Sequence, residues 1–436
     1  MRSDDTIFAI ASGQGRAALS VVRISGPGCR AVLHTLAGGI PEARRLTLRT
    51  LTGPDGTPLD QALVAWMPGP ASFTGEDQAE LHIHGGLASR AAILGSLARL
   101  AGLRPAEPGE FTRRAFLHGR MDLTQVEGLA DLIDAETEAQ RRQALQQLDG
   151  HLGRTAERWR EDGIAILASL EATLDFADEG DVPPGLAGEA TDRLGALAAG
   201  IDAVLANSSG ERLREGLTIV IVGSPNAGKS TLLNAIARRD VAIVSPIAGT
   251  TRDAIEVRCD LGGVAATIVD TAGLRDSLDP IEREGVSRAR MRARDADLVL
   301  WLRAPGDADE GPSDADRVIT IASKMDLLRD REGCDLAVSA TTGEGMAGLM
   351  ERLRVEAGRL AGHRADAVIT RERHRSALDR ASRSFRRAHA MAASGTMLEL
   401  VAEDVRLGVR ALGEVTGRVD VDTVLDRIFS DFCIGK

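Results

Sequence analysis

The chain has 436 residues, of which 43% are hydrophobic and 27% charged, as is typical of folded globular proteins. This length exceeds one ordinary hydrophobic core and predicts two or three domains. The net charge of −11 argues against a strong nonspecific nucleic-acid binder, and aromatic residues at 3% leave few platforms for base stacking.

The four cysteines are far apart and form no CxxC pair: Cys29, Cys259, Cys334 and Cys433. Neither a zinc site nor a disulfide framework is therefore predicted, and a reducing compartment fits. Because no run of about 18 apolar residues and no signal-peptide layout occurs, we expect a cytoplasmic protein without a membrane partner.

The first 118 residues alternate short apolar runs with two helical stretches. The runs predicted as strands end at Gly or Pro and cover residues 6–12, 19–26, 45–51, 62–69 and 79–86. The helical stretches lie near residues 28–37 and 88–101. This arrangement predicts an α+β domain over residues 1–118.

Apolar residues take helical spacing from Leu123 to about residue 176, where a Gly- and Pro-rich stretch stops the pattern. A further helix is expected near residues 190–208, and helical spacing returns from about residue 366 almost to the end. We therefore predict one discontinuous helical domain, formed by residues 119–210 and 361–436.

An α/β pattern separates the two helical segments. Residues 217–223 predict a buried strand, and similar runs follow at 264–269, 298–302, 317–322 and 335–338. Strands that alternate with helices form parallel sheets, so residues 215–360 are predicted to be an inserted α/β domain. The connection at 304–317 is short and acidic, which predicts a truncated helix there.

A phosphate-binding sequence follows the first strand of this domain. Residues 223–230 read GSPNAGKS and match the P-loop pattern GxxxxGK[ST] between a strand and a helix. The glycines let backbone N–H groups face phosphates, and the helix N-terminus favours negative charge. Lys229 can reach the β- and γ-phosphates, and Ser230 can ligate Mg²⁺.

Two further motifs sharpen this prediction. Residues 249–253 read GTTRD and supply threonines that can close on Mg²⁺. Residues 270–273 read DTAG, in which Asp270 can hold the Mg²⁺ shell through water and the N–H of Gly273 can sense the γ-phosphate. The three motifs in this order resemble those of the translation-factor-related GTPases and predict a Ras-like α/β P-loop GTPase domain.

The base-reading motif departs from the usual Asn-Lys-x-Asp and reads Ser323-Lys-Met-Asp326. Asp326 can still accept hydrogen bonds from guanine N1 and the exocyclic amine, which adenine cannot supply, so we predict a preference for guanine. Serine replaces only part of what asparagine does, and the sequence leaves the effect on affinity open. The run Ser339-Ala-Thr341 is predicted to contact the guanine oxygen through backbone N–H groups.

Two charged patterns each have two interpretations. Residues 371–390 contain seven arginines, which form either a solvated helix face or a patch that faces RNA. Glu80, His82 and His84 alternate along one predicted strand. They form either a metal site, although a third clear ligand is lacking, or a pocket lining or packed face.

Longer runs resemble one family over nearly the whole chain. They are VVRISGPG, SFTGED, PGEFTRRAF and MDLTQVEGLADLIDA, then PNAGKST, AGTTRD and DTAGLR, and finally FCIGK at the C-terminus. This combination resembles the MnmE (TrmE) family of tRNA-modifying GTPases and is much more specific than any one motif.

The resemblance implies an N-terminal domain that binds tetrahydrofolate and dimerises. Arg23, Glu80 and Lys436 match folate-contacting positions of the family, and Arg120 matches another that is commonly lysine. Cations can bind the carboxylates of folate, and a carboxylate can accept from the N–H groups of the pterin. The implied ligand is 5-formyl- or methylene-tetrahydrofolate.

The resemblance also implies a K⁺ site beside the phosphates in place of an arginine finger. Its matching ligands are Asn226, Ser245, Thr250 and the backbone carbonyl of Ile247. A monovalent cation there neutralises charge in the transition state, and in the family the site forms as two GTPase domains meet. Glu282 matches the residue that positions the attacking water, and its alternative is an exposed helix glutamate.

Taken together, the implied catalytic residues are Glu282 and Lys229, and the implied Mg²⁺ ligands are Ser230 and Thr251. The predicted GTP contacts are Asn226, Ala227, Gly228, Lys229, Ser230, Thr231, Ser245, Pro246, Ile247, Ala248, Gly249, Thr250, Thr251, Asp270, Thr271, Ala272, Gly273, Ser323, Lys324, Met325, Asp326, Ser339, Ala340 and Thr341.

The function that the resemblance implies is K⁺-activated GTP hydrolysis coupled to tRNA modification. A homodimer would act with an MnmG-like FAD protein in a heterotetramer. Together they would add a carboxymethylaminomethyl or aminomethyl group to carbon 5 of the wobble uridine, using a tetrahydrofolate one-carbon unit. Cys433 either takes part or is a small buried thiol. The alternatives are a ribosome-assembly GTPase of the same superfamily and a folate-dependent aminomethyl-transfer module with a regulatory GTPase.

Overall fold

The computed structural model describes residues 5–13, 15–175, 186–207, 209–224, 226–239, 243, 256–270, 296–305, 318–327, 333–362, 369–395 and 397–419, and the single positions 425, 428, 429, 432 and 435. These residues form two compact units. The first comprises Met1–Ala130, Gly153–Arg160 and Leu412–Lys436, and the second comprises Asp131–Leu152 and Glu161–Ala411. Within the described ranges, no helix combines the length and apolar character needed to cross a membrane.

The first unit contains a six-stranded sheet. Its strands are β1 (Thr6–Ile10), β2 (Leu19–Ser25), β3 (Thr47–Thr52), β4 (Pro58–Met67), β5 (Gln78–His84) and β6 (Leu103–Pro105), in the order β3-β4-β5-β2-β1-β6. All neighbouring pairs are antiparallel except β1 and β6. The five longer strands follow the predicted runs, whereas the three-residue β6 was not predicted.

Two predicted helices, α1 (Cys29–Ala37) and α2 (Leu87–Ala98), cover one face of this sheet. Leu33, Ile83 and Leu97 are fully buried in that core. The opposite face holds a smaller cluster that includes Ile7 and Phe111. Phe111 belongs to α3 (Glu110–Leu117), a helix that was not predicted because its buried face also carries Glu110 and Arg114.

The C-terminal residues return to the first unit. Leu123 and Val126, at the start of α4 (Leu123–Asp134), pack against Leu425, Phe429 and Phe432. The rings of Phe429 and Phe432 have centroids 5.9 Å apart. The end of the chain therefore belongs to the same core as the helix that follows the N-terminal sheet.

Further helices occupy the predicted positions: α5 (Glu138–Leu148), α6 (His151–Asp175) and α7 (Leu186–Leu205). The short helix α8 (Ser209–Glu215) was not predicted. α5 begins with a capping box, in which the Thr137 side chain accepts from the Gln140 backbone and the Gln140 side chain accepts from the Thr137 backbone. The predicted Gly- and Pro-rich break between α6 and α7, residues 178–185, lies outside the described residues.

The second unit contains the other six-stranded sheet. Its strands are β7 (Leu217–Gly223), β8 (Glu256–Asp260), β9 (Ala265–Asp270), β10 (Leu298–Arg303), β11 (Val318–Ala322) and β12 (Leu336–Ala337), in the order β12-β11-β10-β7-β9-β8. The predicted parallel pairing holds except at β8, which is antiparallel to β9 and was not predicted. Helices α9 (Lys229–Ala237) and α10 (Met346–Ala361) pack on this sheet.

The first and last residues of the α/β module lie next to each other. α8 leads into β7, and α10 ends the module near α8. Arg212 Nη1 donates to the carbonyl oxygen of Leu360 at 2.9 Å, and a Cβ at Gly362 would lie 2.7 Å from Cβ of Ser209. After the module, α11 (Glu372–Ala393) packs along α7, and α12 (Leu398–Thr416) follows.

Candidate functional site

Residues 223–230 connect β7 to α9 and form the predicted phosphate loop. A Cβ at Gly223 would lie 2.4 Å from the carbonyl oxygen of Leu302, and Gly228 has φ of 99°, so the loop needs glycine at both positions. Asn226 also adopts a left-handed φ of 63°. The first N–H groups of α9 have no acceptor within the helix and can donate to an anion held by the loop.

Lys229, the first residue of α9, is almost fully buried within this loop. Its ammonium donates to the carbonyl oxygens of Gly223 at 2.8 Å and Ser224 at 2.9 Å. These contacts hold a positive charge beside the N-terminus of the helix. A phosphate chain in the loop would meet the backbone donors and the ammonium together.

Ser230 and Asp270 lie together at the carboxyl end of the sheet. Ser230 Oγ donates to Asp270 Oδ2 at 2.5 Å, and Asp270 is 2% exposed. The residues are 40 positions apart and meet because β7 and β9 are neighbouring parallel strands. Hydroxyl and carboxylate oxygens are ligands that suit Mg²⁺, so this pair fits the predicted ion.

The two predicted base-reading segments also lie together. Ser339 is fully buried, and its hydroxyl donates to Asp326 Oδ1 at 2.7 Å. Met325 N donates to the carbonyl oxygen of Val338 at 3.3 Å, which joins the two loops. Asp326 is therefore held in place by a neighbouring loop, an interaction that the sequence did not predict.

Ser323 connects the base-reading segment to the phosphate loop. Its hydroxyl lies 2.8 Å from the carbonyl oxygen of Ala227 and 3.1 Å from that of Arg303. Ala227 immediately precedes Gly228 in the P-loop, so Ser323 braces the loop that holds the phosphates. Lys324, the next residue, has a left-handed φ of 58°.

Several predicted site residues lie outside the described part of the chain: Ser245, Pro246, Ile247, Ala248, Gly249, Thr250, Thr251, Thr271, Ala272, Gly273, Glu282 and Lys436. Of the four predicted K⁺ ligands, the structure therefore describes Asn226 alone. Of the two predicted Mg²⁺ ligands, it describes Ser230 alone. Most of the predicted truncated connection, residues 306–317, also lies outside.

In the first unit, two predicted folate-contacting residues face each other across neighbouring strands. Arg23 on β2 pairs with Glu80 on β5, and their Nη2 and Oε1 atoms are 3.0 Å apart. The guanidinium also lies over the rings of Phe73, at 5.4 Å, and Phe111, at 5.9 Å. Neither ring was predicted from the sequence, because only the fold brings Phe73 and Phe111 to Arg23.

The end of the chain approaches the same sheet. Gly435 has φ of 103°, and a Cβ there would lie 2.1 Å from the carbonyl oxygen of Ile10. Ile10 pairs with Val22, the neighbour of Arg23. The residue before the predicted ligand Lys436 is thus close to the Arg23 region. Arg120 is exposed after α3.

The alternating acid and histidines of β5 have partners of their own. His82 Nε2 lies 3.3 Å from Glu80 Oε2, and His84 Nδ1 lies 2.7 Å from Asp60 Oδ1. Among the residues that the structure describes, no group of three or more His, Cys, Asp or Glu side chains could hold a metal ion. These contacts favour the other interpretation, a pocket lining or packed face, over a metal site.

A buried charge network supports α3 and was not predicted. Arg114 contacts Asp5 at 2.6 Å and both Glu76 and Glu110 at 3.1 Å, and Arg104 also contacts Asp5 and Glu110. Burial by itself would raise the pKa of the Glu110 carboxyl. Hydrogen bonds from Arg104, the backbone and Arg114 outweigh burial and hold that pKa below its ordinary value. The i,i+4 spacing of Glu110 and Arg114 was the available signal.

The arginine-rich segment is largely neutralised by acids of the second unit. Its pairs are Arg371 with Asp131, Arg375 with Glu211, Arg383 with Asp379, Arg386 with Asp202, and Arg387 with Asp404. A guanidinium that is already paired with a carboxylate has part of its charge neutralised and fewer N–H donors left for phosphate. The structure therefore favours a helix face whose charges are paired within the protein over a patch that faces RNA.

Two cysteines belong to the cores. Burial raises the pKa of the Cys29 and Cys259 thiols to about 12, so both stay protonated at neutral pH. Cys334 is a third free cysteine. Cys433, whose role the sequence left open, lies outside the described residues.

The second unit has the features of a P-loop GTPase. They are a mostly parallel sheet, a glycine-containing loop that encloses Lys229, the Ser230–Asp270 pair, and a base-reading loop that carries Asp326. Two family models match the chain: "GTP-binding protein TrmE N-terminus" over residues 6–120 and "MnmE helical domain" over residues 123–433. The chain belongs to the MnmE family of tRNA modification GTPases.

Curated relatives agree over nearly the full length. The tRNA modification GTPase MnmE of Methylobacterium sp. (strain 4-46) is 59% identical, covering 99% of this chain and all of the relative. That of Methylorubrum populi is also 59% identical, covering 99% and 98%. A solved G domain of the T. maritima FeoB iron transporter is 24% identical over 32% of this chain and 98% of its own length, with a TM-score of 0.24 that adds nothing to the fold assignment.

Proposed function

We propose that this chain is a K⁺-activated GTPase that drives modification of the tRNA wobble uridine. The observation that carries the proposal is the convergence of Lys229, Ser230 and Asp270 at the carboxyl edge of the second sheet. Asp326 lies in a loop that Ser323 connects to the same phosphate loop. The site therefore combines phosphate binding with recognition of guanine.

Each described residue has one task in hydrolysis. The backbone of residues 226–231 and the Lys229 ammonium bind the phosphates and neutralise charge that develops on the γ-phosphate. Ser230 and Asp270 would hold Mg²⁺, Ser230 directly and Asp270 through water, and the ion would supply further charge neutralisation. Asp326 selects guanine. Glu282, which lies outside the described residues, is proposed to position the attacking water.

The monovalent cation is proposed to lie beside Asn226. Asn226 lies in the loop that holds the phosphates, where it has a left-handed φ of 63° and carries a short polar side chain. Ser245, Ile247 and Thr250 would complete the site when two GTPase domains of a homodimer meet. A positive ion there takes the place of an arginine finger.

The one-carbon chemistry is proposed for the first sheet. Arg23, Glu80, Arg120 and Lys436 would bind 5-formyl- or methylene-tetrahydrofolate. With an MnmG-like FAD partner in a heterotetramer, the chain would add a carboxymethylaminomethyl or aminomethyl group to uridine carbon 5 in the cytoplasm. Because the arginines of α11 are paired and the chain is acidic, we propose that the partner supplies much of the tRNA-binding surface.

The first test compares GTP turnover of the purified chain in KCl and NaCl at equal ionic strength. Much faster turnover in K⁺, abolished by Asn226→Ala, is the expected result. Equal rates in both salts would leave a GTPase but remove the K⁺ mechanism. No turnover in either salt would overturn the assignment of the P-loop.

Folate binding separates this proposal from a ribosome-assembly GTPase. We expect calorimetric titration to detect 5-formyl-tetrahydrofolate binding to the wild type and a loss of affinity in Arg23→Ala. Arg30→Ala is a matched control, because Arg30 lies on α1 with a side chain 60% exposed. A wild-type chain that binds no folate would favour the assembly factor.

A further inference from the structure

We infer that this chain binds guanine without a hydrogen bond to N7 of the base, and that Ser323 is the residue that determines this. The inference rests on the proposed GTP hydrolysis and concerns the same site. Ser323 stands where related GTPases have the asparagine of Asn-Lys-x-Asp. The consequence of that exchange follows from the number of protons that each side chain can donate.

The Ser323 hydroxyl is enclosed by acceptors. Ser323 is 6% exposed, and its Oγ lies 2.8 Å from the carbonyl oxygen of Ala227 and 3.1 Å from that of Arg303. Carbonyl oxygens cannot donate, so the single hydroxyl proton must point to one of them. If the proton turned to the base instead, three oxygens would face one another without a proton between them.

An asparagine amide differs because it carries two N–H donors on a longer side chain. One N–H can brace the P-loop carbonyl while the other reaches an acceptor on the base. The serine hydroxyl has one proton, which it donates to the carbonyl oxygen of Ala227. The exchange therefore keeps the brace between the base loop and the phosphate loop and removes the contact with the base.

Base choice does not depend on the lost contact. Asp326, held by Ser339, is placed to accept from guanine N1 and the exocyclic amine. Adenine and guanine both carry N7, so a contact there strengthens binding of either base. The missing hydrogen bond lowers affinity for GTP by about 2- to 10-fold, the usual worth of one neutral hydrogen bond, while the preference for guanine remains.

The test measures kcat/KM of the full chain for GTP, 7-deaza-GTP and inosine triphosphate. In 7-deaza-GTP a C–H group replaces N7, and inosine triphosphate lacks the exocyclic amine. We expect the wild type to use GTP and 7-deaza-GTP equally, within about 2-fold. It should use inosine triphosphate about 10- to 100-fold less well, since Asp326 loses a charge-assisted hydrogen bond.

Two variants locate the effect. Ser323→Asn is expected to favour GTP over 7-deaza-GTP by about 2- to 10-fold, because its second N–H reaches N7. Ser323→Ala removes the brace and should lower kcat/KM for both nucleotides by the same factor. The wild-type comparison stands by itself if the larger asparagine prevents folding.

A wild type that uses 7-deaza-GTP at least 5-fold less well than GTP would overturn the inference while leaving the proposed GTPase intact. A folded Ser323→Asn variant that treats the two nucleotides alike would overturn the role of position 323. Failure of the wild type to hydrolyse GTP would instead contradict the proposed function, and equal use of inosine triphosphate would contradict base recognition by Asp326.

Discussion

The two six-stranded sheets carry their candidate sites in different ways. In the second unit, Lys229 donates to carbonyl groups only five and six residues away, within one loop. In the first unit, Arg23 and Glu80 are 57 residues apart, and Arg114 reaches Asp5 across 109 residues. A loop site is encoded locally, whereas a site between strands depends on the whole fold. Changes in the first sheet should therefore alter stability, and changes in the loop should alter chemistry.

The largest expected effect is on the stability of the first unit. Arg114→Met removes the cation that contacts Glu76 and leaves Asp5 and Glu110 with Arg104 alone, so the free energy of unfolding should fall by about 3–5 kcal/mol. Hydrogen exchange of the β1 and β2 amides measures this locally. Arg30→Met, at an exposed pair, should change it by less than about 1 kcal/mol. If the two variants are equally stable, the buried network does not hold the sheet together.

The loop should respond in the opposite way. Lys229→Ala removes the charge that faces the γ-phosphate, so GTP turnover should fall at least about 100-fold, while exchange of the β1 and β2 amides stays unchanged. Arg238→Ala, at the exposed C-terminal end of the same helix, is the control and should retain turnover. Undiminished turnover in Lys229→Ala would refute the P-loop assignment.

A smaller effect is expected from a substitution in the base-reading loop, and it tests whether Asp326 recognises guanine. Asp326→Asn exchanges an acceptor for a side chain that can also donate, which matches the oxygen at carbon 2 of xanthine. The ratio of xanthosine triphosphate to GTP turnover should rise by about 10- to 100-fold, since each charge-assisted hydrogen bond contributes about 1.5–3 kcal/mol. An unchanged ratio would mean that Asp326 does not read the base.

The smallest effect is that of pH on the first unit. The pKa of Glu110 is lower in the folded chain than its ordinary value of 4.5, so the carboxylate stabilises the fold above pH 4.5, and this contribution is lost as pH falls through the folded pKa. The free energy of unfolding, monitored by hydrogen exchange of the β1 amides, should decline with falling pH in the wild type. Its pH profile should be flatter in Glu110→Gln. Parallel profiles would assign the acid sensitivity to other groups.

The sequence predicted the sites formed by a few adjacent residues better than the contacts formed between distant strands. The P-loop, Asp270 and Ser323–Asp326 were located because each motif occupies a few adjacent residues beside an apolar strand, and the structure brings them to one edge of the sheet. β8 was missed because Glu256–Asp260 alternates charged and apolar residues at an edge. The rings around Arg23 were missed because no local pattern links Phe73 to Phe111.

The meeting of Ser209 with Gly362, and of Arg212 with Leu360, has an evolutionary consequence. A segment whose two ends coincide leaves the path of the surrounding chain unaltered, so it can be gained, lost or exchanged as one genetic cassette. The helices on either side need no redesign to accommodate it. A GTPase module inserted in this way can be transferred between proteins, and the surrounding domains can acquire other chemistry without a change in the module.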